Sequence, residues 1–273
     1  MKRLFSFFLF LVLTGNALAN EPLQVFVSVL PNKFFVERVG GEFVKVESLV
    51  KTGETPETFN PSPSQITRLA NADLYLRTGA EFEHSLLRRV QAVNQNILIL
   101  DLRQDKAQPS HLHGDAHIWT SPRLVQQMAY QISEQLKTLL PEHADQIGKN
   151  CEMFIEELKA LDEEIAGYLS SLKHREFIVF HPAWSYFAAD YDLQQIALEH
   201  EGKEPGAKRI ATVIKAAAGK QIKTVFKQPA IMHRAIDRIA EALGAGVETL
   251  DPLAEDYANN LRSVAKLIAA SGS

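Results

Sequence analysis

The sequence predicts an α/β protein of two βα lobes with mostly parallel sheets, joined by one long backbone helix. Three observations predict it. Short β-branched runs alternate with runs of helical period on both sides of the chain's middle, which implies right-handed βαβ units on parallel sheets. Between Pro141 and Leu172, apolar residues recur every three or four positions at Ala144, Ile147, Cys151, Phe154, Leu158, Leu161, Ile165 and Leu169. That is one face of a helix of about 30 residues, roughly 45 Å long. After Leu172 the strand–helix alternation restarts, without any sequence repeat between the halves. The expected organisation is a leader at 1–19, an N-terminal lobe at 20–140, the linking helix at 141–172 and a C-terminal lobe at 173–273.

The leader is read from its own chemistry. Lys2 and Arg3 precede Leu4–Leu13, apolar except for Ser6, and Ala17-Leu18-Ala19 is a small-x-small cleavage site. Ten apolar residues are too few for a permanent span, so this is a secretory signal peptide. Cleavage after Ala19 leaves Asn20–Ser273, expected to be a soluble monomer free in a bacterial periplasm. Cys151 is the only cysteine and lies far from the cleavage site, so neither a lipid-bearing cysteine nor an internal disulfide is expected. A chain of this length builds its core without staples. The formal charge of −4 becomes −6 without Lys2 and Arg3, with 27 basic and 33 acidic residues left. That balance argues against a nucleic-acid partner.

In the first lobe, Leu23–Val29 alternates as a strand, and Pro31 opens a helical run that Gly40-Gly41 stops. Phe43–Val50 is a second strand. Lys51–Pro63 follows as a loop dense in Gly, Pro, Thr and Glu. Ser62-Pro63-Ser64-Gln65 is a capping box with proline at the first helical position, and its helix runs to about Asn71. Asp73–Thr78 is a strand, Phe82–Val93 a helix and Ile97–Leu100 a buried strand. A helix from Pro122 to Leu140 carries its cap at Thr120-Ser121-Pro122. In the second lobe, the strands are Glu176–Phe180, Leu193–Leu198, Thr224–Phe226 and Gly246–Leu250. The helices are Trp184–Tyr191, Ala207–Ala218, Ile231–Leu243 and Tyr257–Ala270.

The chemistry gathers around Ser110–Pro122, SHLHGDAHIWTSP, which packs His111, His113 and His117 beside Asp115. Neutral imidazole is the commonest protein metal ligand, and short His-rich tracts read as metal binding. Ile118 and Trp119 want burial, so His117 is anchored beside a core, while His111 and His113 belong to a polar loop. Each is equally consistent, by itself, with a solvated loop or a core-edge histidine. Placement raises the metal reading. Glu57 lies in the loop after the second strand, and His117 in the connection after the fourth. His181 ends strand Glu176–Phe180, and Asp251 ends the last strand. Ligands of open α/β sheets bind outside the carboxyl ends of the strands, so facing lobes would collect Glu57, His117, His181 and Asp251. Alone, Glu57 reads as a solvated acid and Asp251-Pro252 as a turn starter.

Several ordered motifs carry a resemblance over nearly all of the mature chain. GETPETFNPSPS (Gly53–Ser64) resembles G-x-x-P-H-x-[FY]-x-P-x-P-S. DAHIWTSP (Asp115–Pro122) resembles D-P-H-x-W-x-x-P, and HPAWSYFAADY (His181–Tyr191) resembles H-x-A-[FW]-x-Y-F-x-x-x-Y. FKQP (Phe226–Pro229) and LDPL (Leu250–Leu253) match later signatures. These belong to the cluster A-I solute-binding proteins of zinc and manganese ATP-binding-cassette importers, for which a long linking helix is also a hallmark. The resemblance implies that His117, His181 and Asp251 bind metal, that His111 and His113 sit in the family's accessory histidine loop, and that a membrane permease is the partner. It departs at two places: Glu57 stands where the family has its first histidine, and Gln228 where it often has glutamate. A carboxylate still binds a divalent ion; alternatively water or a loop histidine fills Glu57's position.

The expected function is therefore capture of one divalent ion between the lobes and delivery to a permease, without catalysis. Zinc is the expected ion, with manganese or iron as alternatives: imidazole suits zinc, carboxylate the harder ions, and the divalent series places manganese lowest in affinity. His181 resembles the zinc branch, since the manganese branch tends to carry glutamate there. A zinc hydrolase is the alternative of a different class; it needs three ligands and an open water position. A periplasmic metal buffer without a transporter is the other.

Overall fold

The computed structural model describes residues 21–103, 112, 114–199, 205–220, 222–229 and 234–272. The leader at 1–19, His111 and His113 lie outside the described residues. The first half runs β1 (Leu23–Val27), α1 (Leu30–Gly40), β2 (Val44–Ser48), α2 (Pro63–Ala70), β3 (Leu74–Arg77), α3 (Glu81–Val93) and β4 (Leu98–Asp101). Two helices follow, α4 (Pro122–Leu139) and α5 (Ala144–Leu169). The second half runs β5 (Glu176–Val179), α6 (Ser185–Asp190), β6 (Gln194–Ala197), α7 (Ala207–Ala217), β7 (Thr224–Lys227), α8 (Arg234–Leu243), β8 (Gly246–Thr249) and α9 (Tyr257–Ser271).

Both sheets are four-stranded and parallel throughout, ordered β2-β1-β3-β4 and β6-β5-β7-β8. The second order repeats the first, so the alternation seen in the sequence becomes one topology used twice. At equivalent places Val25 pairs with Val46 and Leu74, and Ile178 with Ile196 and Val225.

The local signals act as their chemistry requires. Ser62 Oγ accepts from Gln65 N at 3.3 Å, and Gln65 Oε1 accepts from Ser62 N at 2.9 Å, which closes the capping box of α2. Ser121 Oγ accepts from Leu124 N at 3.0 Å and caps α4, with Pro122 at the first turn. The linking helix is shorter than its pattern at both ends. Pro141–His143 forms a 3₁₀ turn, a usual way for a helix to begin. At the other end, the Ser170 hydroxyl donates to Gly167 O at 2.8 Å and satisfies one of the last-turn carbonyls that lack a helical partner. The 26 residues of α5 span about 39 Å at 1.5 Å per residue.

The core explains why the two sheets form one molecule. A continuous apolar cluster takes in β1, α1, α4, α5 and α9 together with Phe177, Val179 and Phe226 of the second sheet. The intervening residues Ile178, Phe180 and Val225 point the other way, into a smaller cluster with Val213, Ile236 and Ile239. Strand side chains alternate faces. The second sheet is therefore covered by α5 and α9 on its inner face and by α7 and α8 on its outer face. Among the described residues no helix is long and apolar enough to cross a membrane.

Candidate metal centre

Glu57 is set by a turn. Thr58 N donates to Thr55 O at 3.3 Å across Pro56-Glu57, with proline at its favoured second position. Phe59 packs edge-on against Phe82 of α3, ring centres 5.0 Å apart, and holds the loop to the lobe. His117 is anchored as expected, because Ile118 and Trp119 are each 1% exposed. Its carbonyl accepts from Thr120 N at 3.1 Å and from the Thr120 hydroxyl at 2.9 Å. His181 follows β5 directly and is 8% exposed. Phe180 N donates to Phe226 O at 2.9 Å, extending the sheet to the edge of the ligand.

Among the described residues one group brings three potential ligand atoms within 4.8 Å of one another: Glu57, His117 and His181. The two imidazole Nε2 atoms are 3.2 Å apart. Glu57 Oε1 lies 3.1 Å from His181 Nε2 and 3.6 Å from His117 Nε2. Donors arranged as a tetrahedron around zinc at about 2.0–2.1 Å are separated by about 3.4 Å. The trio brackets that spacing and leaves a fourth position open.

Both remaining ring nitrogens are occupied. His117 Nδ1 lies 2.7 Å from Asp115 Oδ1, which also accepts from His117 N at 2.9 Å. His181 Nδ1 lies 2.9 Å from Glu199 Oε2. With Nδ1–H donating to a carboxylate, Nε2 is presented as the ligand atom and gains basicity. Neither Asp115 nor Glu199 was singled out as functional from sequence. Glu199 follows β6, so the strand-end rule that found the ligands pointed to it too.

Electrostatics fit a site built for a cation. Burial opposes the charge on Glu57, yet His117 and His181 hold its carboxyl well below the usual range. Burial likewise opposes the charged ring of His181, but Glu199 and Glu57 push its pKa up to about 9. Asp115 and Glu57 raise His117 against the same penalty.

Asp251 is not in the trio. Its Oδ1 accepts from Leu253 N at 2.8 Å, and burial raises its pKa. It lines a neighbouring cavity of about 310 Å³ with Thr52, Glu54, Gln228 and Glu255, between the Glu57 loop and the ends of β7 and β8. The Asp251-Pro252 segment is tied to the other lobe by Trp119 Nε1, which donates to Pro252 O at 2.7 Å.

The arrangement is that of a two-lobed protein with a candidate metal centre built from residues of both lobes. A family model described as ZnuA, zinc-uptake complex component A, periplasmic, matches residues 25–271, and the chain belongs to that family. It is similar to the crystal structure of ZnuA, with 38% identity and a TM-score of 0.88 over 92% of this chain and 100% of that one. It is similar too to a zinc-bound ZnuA deletion mutant, at 39% identity, a TM-score of 0.86, and 92% and 98% coverage. A putative metal-binding protein of Chlamydia muridarum is 29% identical over 249 residues, 90% of each chain. The zinc-binding lipoprotein AdcA of Streptococcus pneumoniae serotype 4 is 25% identical over 267 residues, and the chain spans 53% of its length.

Proposed function

We infer that the protein captures one zinc ion between its lobes, in the periplasm, and delivers it to the permease of an ATP-binding-cassette importer. The observation that carries this is the convergence of Glu57 Oε1, His117 Nε2 and His181 Nε2 from two lobes at tetrahedral spacing. The solved relative named as zinc-bound supports the choice of ion, as do two imidazoles whose Nδ1 atoms are taken by carboxylates. Raw affinity favours zinc over manganese at such a donor set. Asp251, whose carboxylate is not committed to either imidazole, completes the site by releasing Leu253 N and moving with its loop; water is the other fourth ligand.

Two imidazoles and a glutamate with an open position are also the ligand set of some zinc hydrolases. Against that reading, Asp115 and Glu199, the carboxylates nearest the trio, are both committed to imidazole nitrogens, so neither serves as the base. Competition titration of chelator-stripped protein tests the proposal. One zinc per chain should bind, and manganese should displace it only in large excess. Displacement at comparable concentration, or ester hydrolysis by the zinc-loaded protein, refutes it.

A further inference from the structure

The turn leading into His117 is held from the opposite lobe. Asp115 N donates to Leu112 O at 3.0 Å, closing a four-residue turn. Gly114, just before Asp115, has φ +97°, a backbone conformation that favours glycine. Tyr186, on the first turn of α6, donates its one phenolic hydrogen between Leu112 O at 3.1 Å and Asp115 O at 3.2 Å. Its ring is 1% exposed. Beside it, the Ser185 hydroxyl accepts from Gln195 Nε2 at 3.0 Å, and Gln195 Oε1 accepts from Trp184 N at 2.8 Å, so the start of α6 is locked onto β6. Asp115 is the group that fixes both the ring and the backbone nitrogen of His117.

Residues 181–186 thus do two things. Their first residue supplies a ligand from the C-terminal lobe, and their last grips the support of the ligand from the N-terminal lobe. We propose that Tyr186 is a positioning residue that clamps the Leu112–Asp115 turn and governs how slowly the ion leaves. The proposal rests on the trio as the ion site. With the phenol in place, Asp115 cannot swing away from His117 without breaking contacts to a buried ring in the other lobe. Without it, both carbonyls lose their buried phenol partner from the opposite lobe, and His117 can leave the ion first. Outer-shell partners of metal ligands are worth about 10- to 100-fold in metal affinity, and such differences appear mostly in the dissociation rate.

The test is Tyr186→Phe, which keeps the ring and removes the hydroxyl. Zinc dissociation into excess chelator, followed by stopped flow, should accelerate about 10- to 100-fold, with the association rate and the metal-free melting temperature close to wild type. The visible bands of the cobalt-substituted protein should shift, because His117 is less tightly oriented. An unchanged dissociation rate, or a lowered melting temperature without faster release, overturns the clamp. Gly114→Ala approaches the turn from the solvent side, where an added Cβ meets nothing within 4 Å and only the positive φ is strained. It should also speed release, and wild-type release from it overturns the proposal even where Tyr186→Phe fails to fold. His181→Ala is the control that separates the two readings. Wild-type zinc binding by it sinks the trio, whereas its loss of binding beside unaltered Tyr186→Phe kinetics sinks only the clamp.

Discussion

The two sheets share a strand order but not a way of being buried. In the first, consecutive residues Val25, Phe26 and Val27 all join one continuous core. In the second, Phe177 and Val179 face that common core while Ile178 and Phe180 face a separate outer cluster. The ligands follow the same contrast in reverse. The N-terminal lobe offers its ligands from connections, and Glu57 leaves 32% of its side chain exposed. The C-terminal lobe offers His181 from the end of a strand fixed on both faces. The candidate site thus sets two anchored imidazoles, His117 and His181, beside one adaptable carboxylate, Glu57.

Removing each ligand gives the largest test of that contrast. His181→Ala should lower zinc affinity by about 1,000-fold, close to 4 kcal/mol, because it removes a pre-positioned donor and leaves Glu199 without its partner. Glu57→Ala should cost only about 10- to 100-fold, since water takes its place. Equal losses in a chelator competition titration would erase the distinction. The next test compares the two interiors. Phe177→Ala should destabilise the metal-free protein by about 3–5 kcal/mol, the usual cost for a buried ring. Val213→Ala, in the outer cluster, should cost about 2 kcal/mol. Urea denaturation measures both, and a larger cost at Val213 would mean that the outer cluster carries the fold.

The seam between the lobes offers a third test, through pH. Ser121 Oγ donates to Asp190 Oδ2 at 2.5 Å, across the seam from α4 to α6. Burial pushes the Asp190 carboxyl from 3.8 up to about 6, with Arg123 opposing and Asp162 assisting. A raised folded-state pKa contributes stability that is complete below the unfolded value and lost as pH rises through the folded one. Stability from Asp190 should therefore fall by up to about 3 kcal/mol between pH 4 and 7. Asp190→Asn should remove this component, and identical pH profiles of melting temperature for variant and wild type would discount it. The smallest effect lies far from the seam: Ser62→Ala should cost about 1 kcal/mol through the lost cap of α2, with zinc affinity unchanged.

Much of this architecture is legible in the sequence because each strand is short, β-branched and bounded by turn formers, as at Glu176–Phe180 before His181-Pro182. The strand-end rule pointed to Glu57, His117 and His181, which the structure brings together. It pointed equally to Asp251, and sequence order does not show that this carboxylate accepts from Leu253 N rather than standing among the other three. Glu199 also lies beyond a strand end, but its pairing with His181, 18 residues away past the end of the neighbouring strand, is set by register and is not visible in sequence order. The long linking helix is legible too, but apolar spacing continues through Leu172 and does not mark the cap at Ser170.

Strand β5 works as a vernier for the metal. Its residues are sorted alternately into two interiors, and the residue after Phe180 is a candidate ligand. A strand shifted by one position exchanges its faces. Deleting a single residue within 177–179 would push aromatic and aliphatic groups into the wrong interiors and turn the next imidazole away from the cleft. The spacing of a few hydrocarbon side chains thus aims the nitrogen, and a frame error there would do more harm to ion capture than the loss of any one donor.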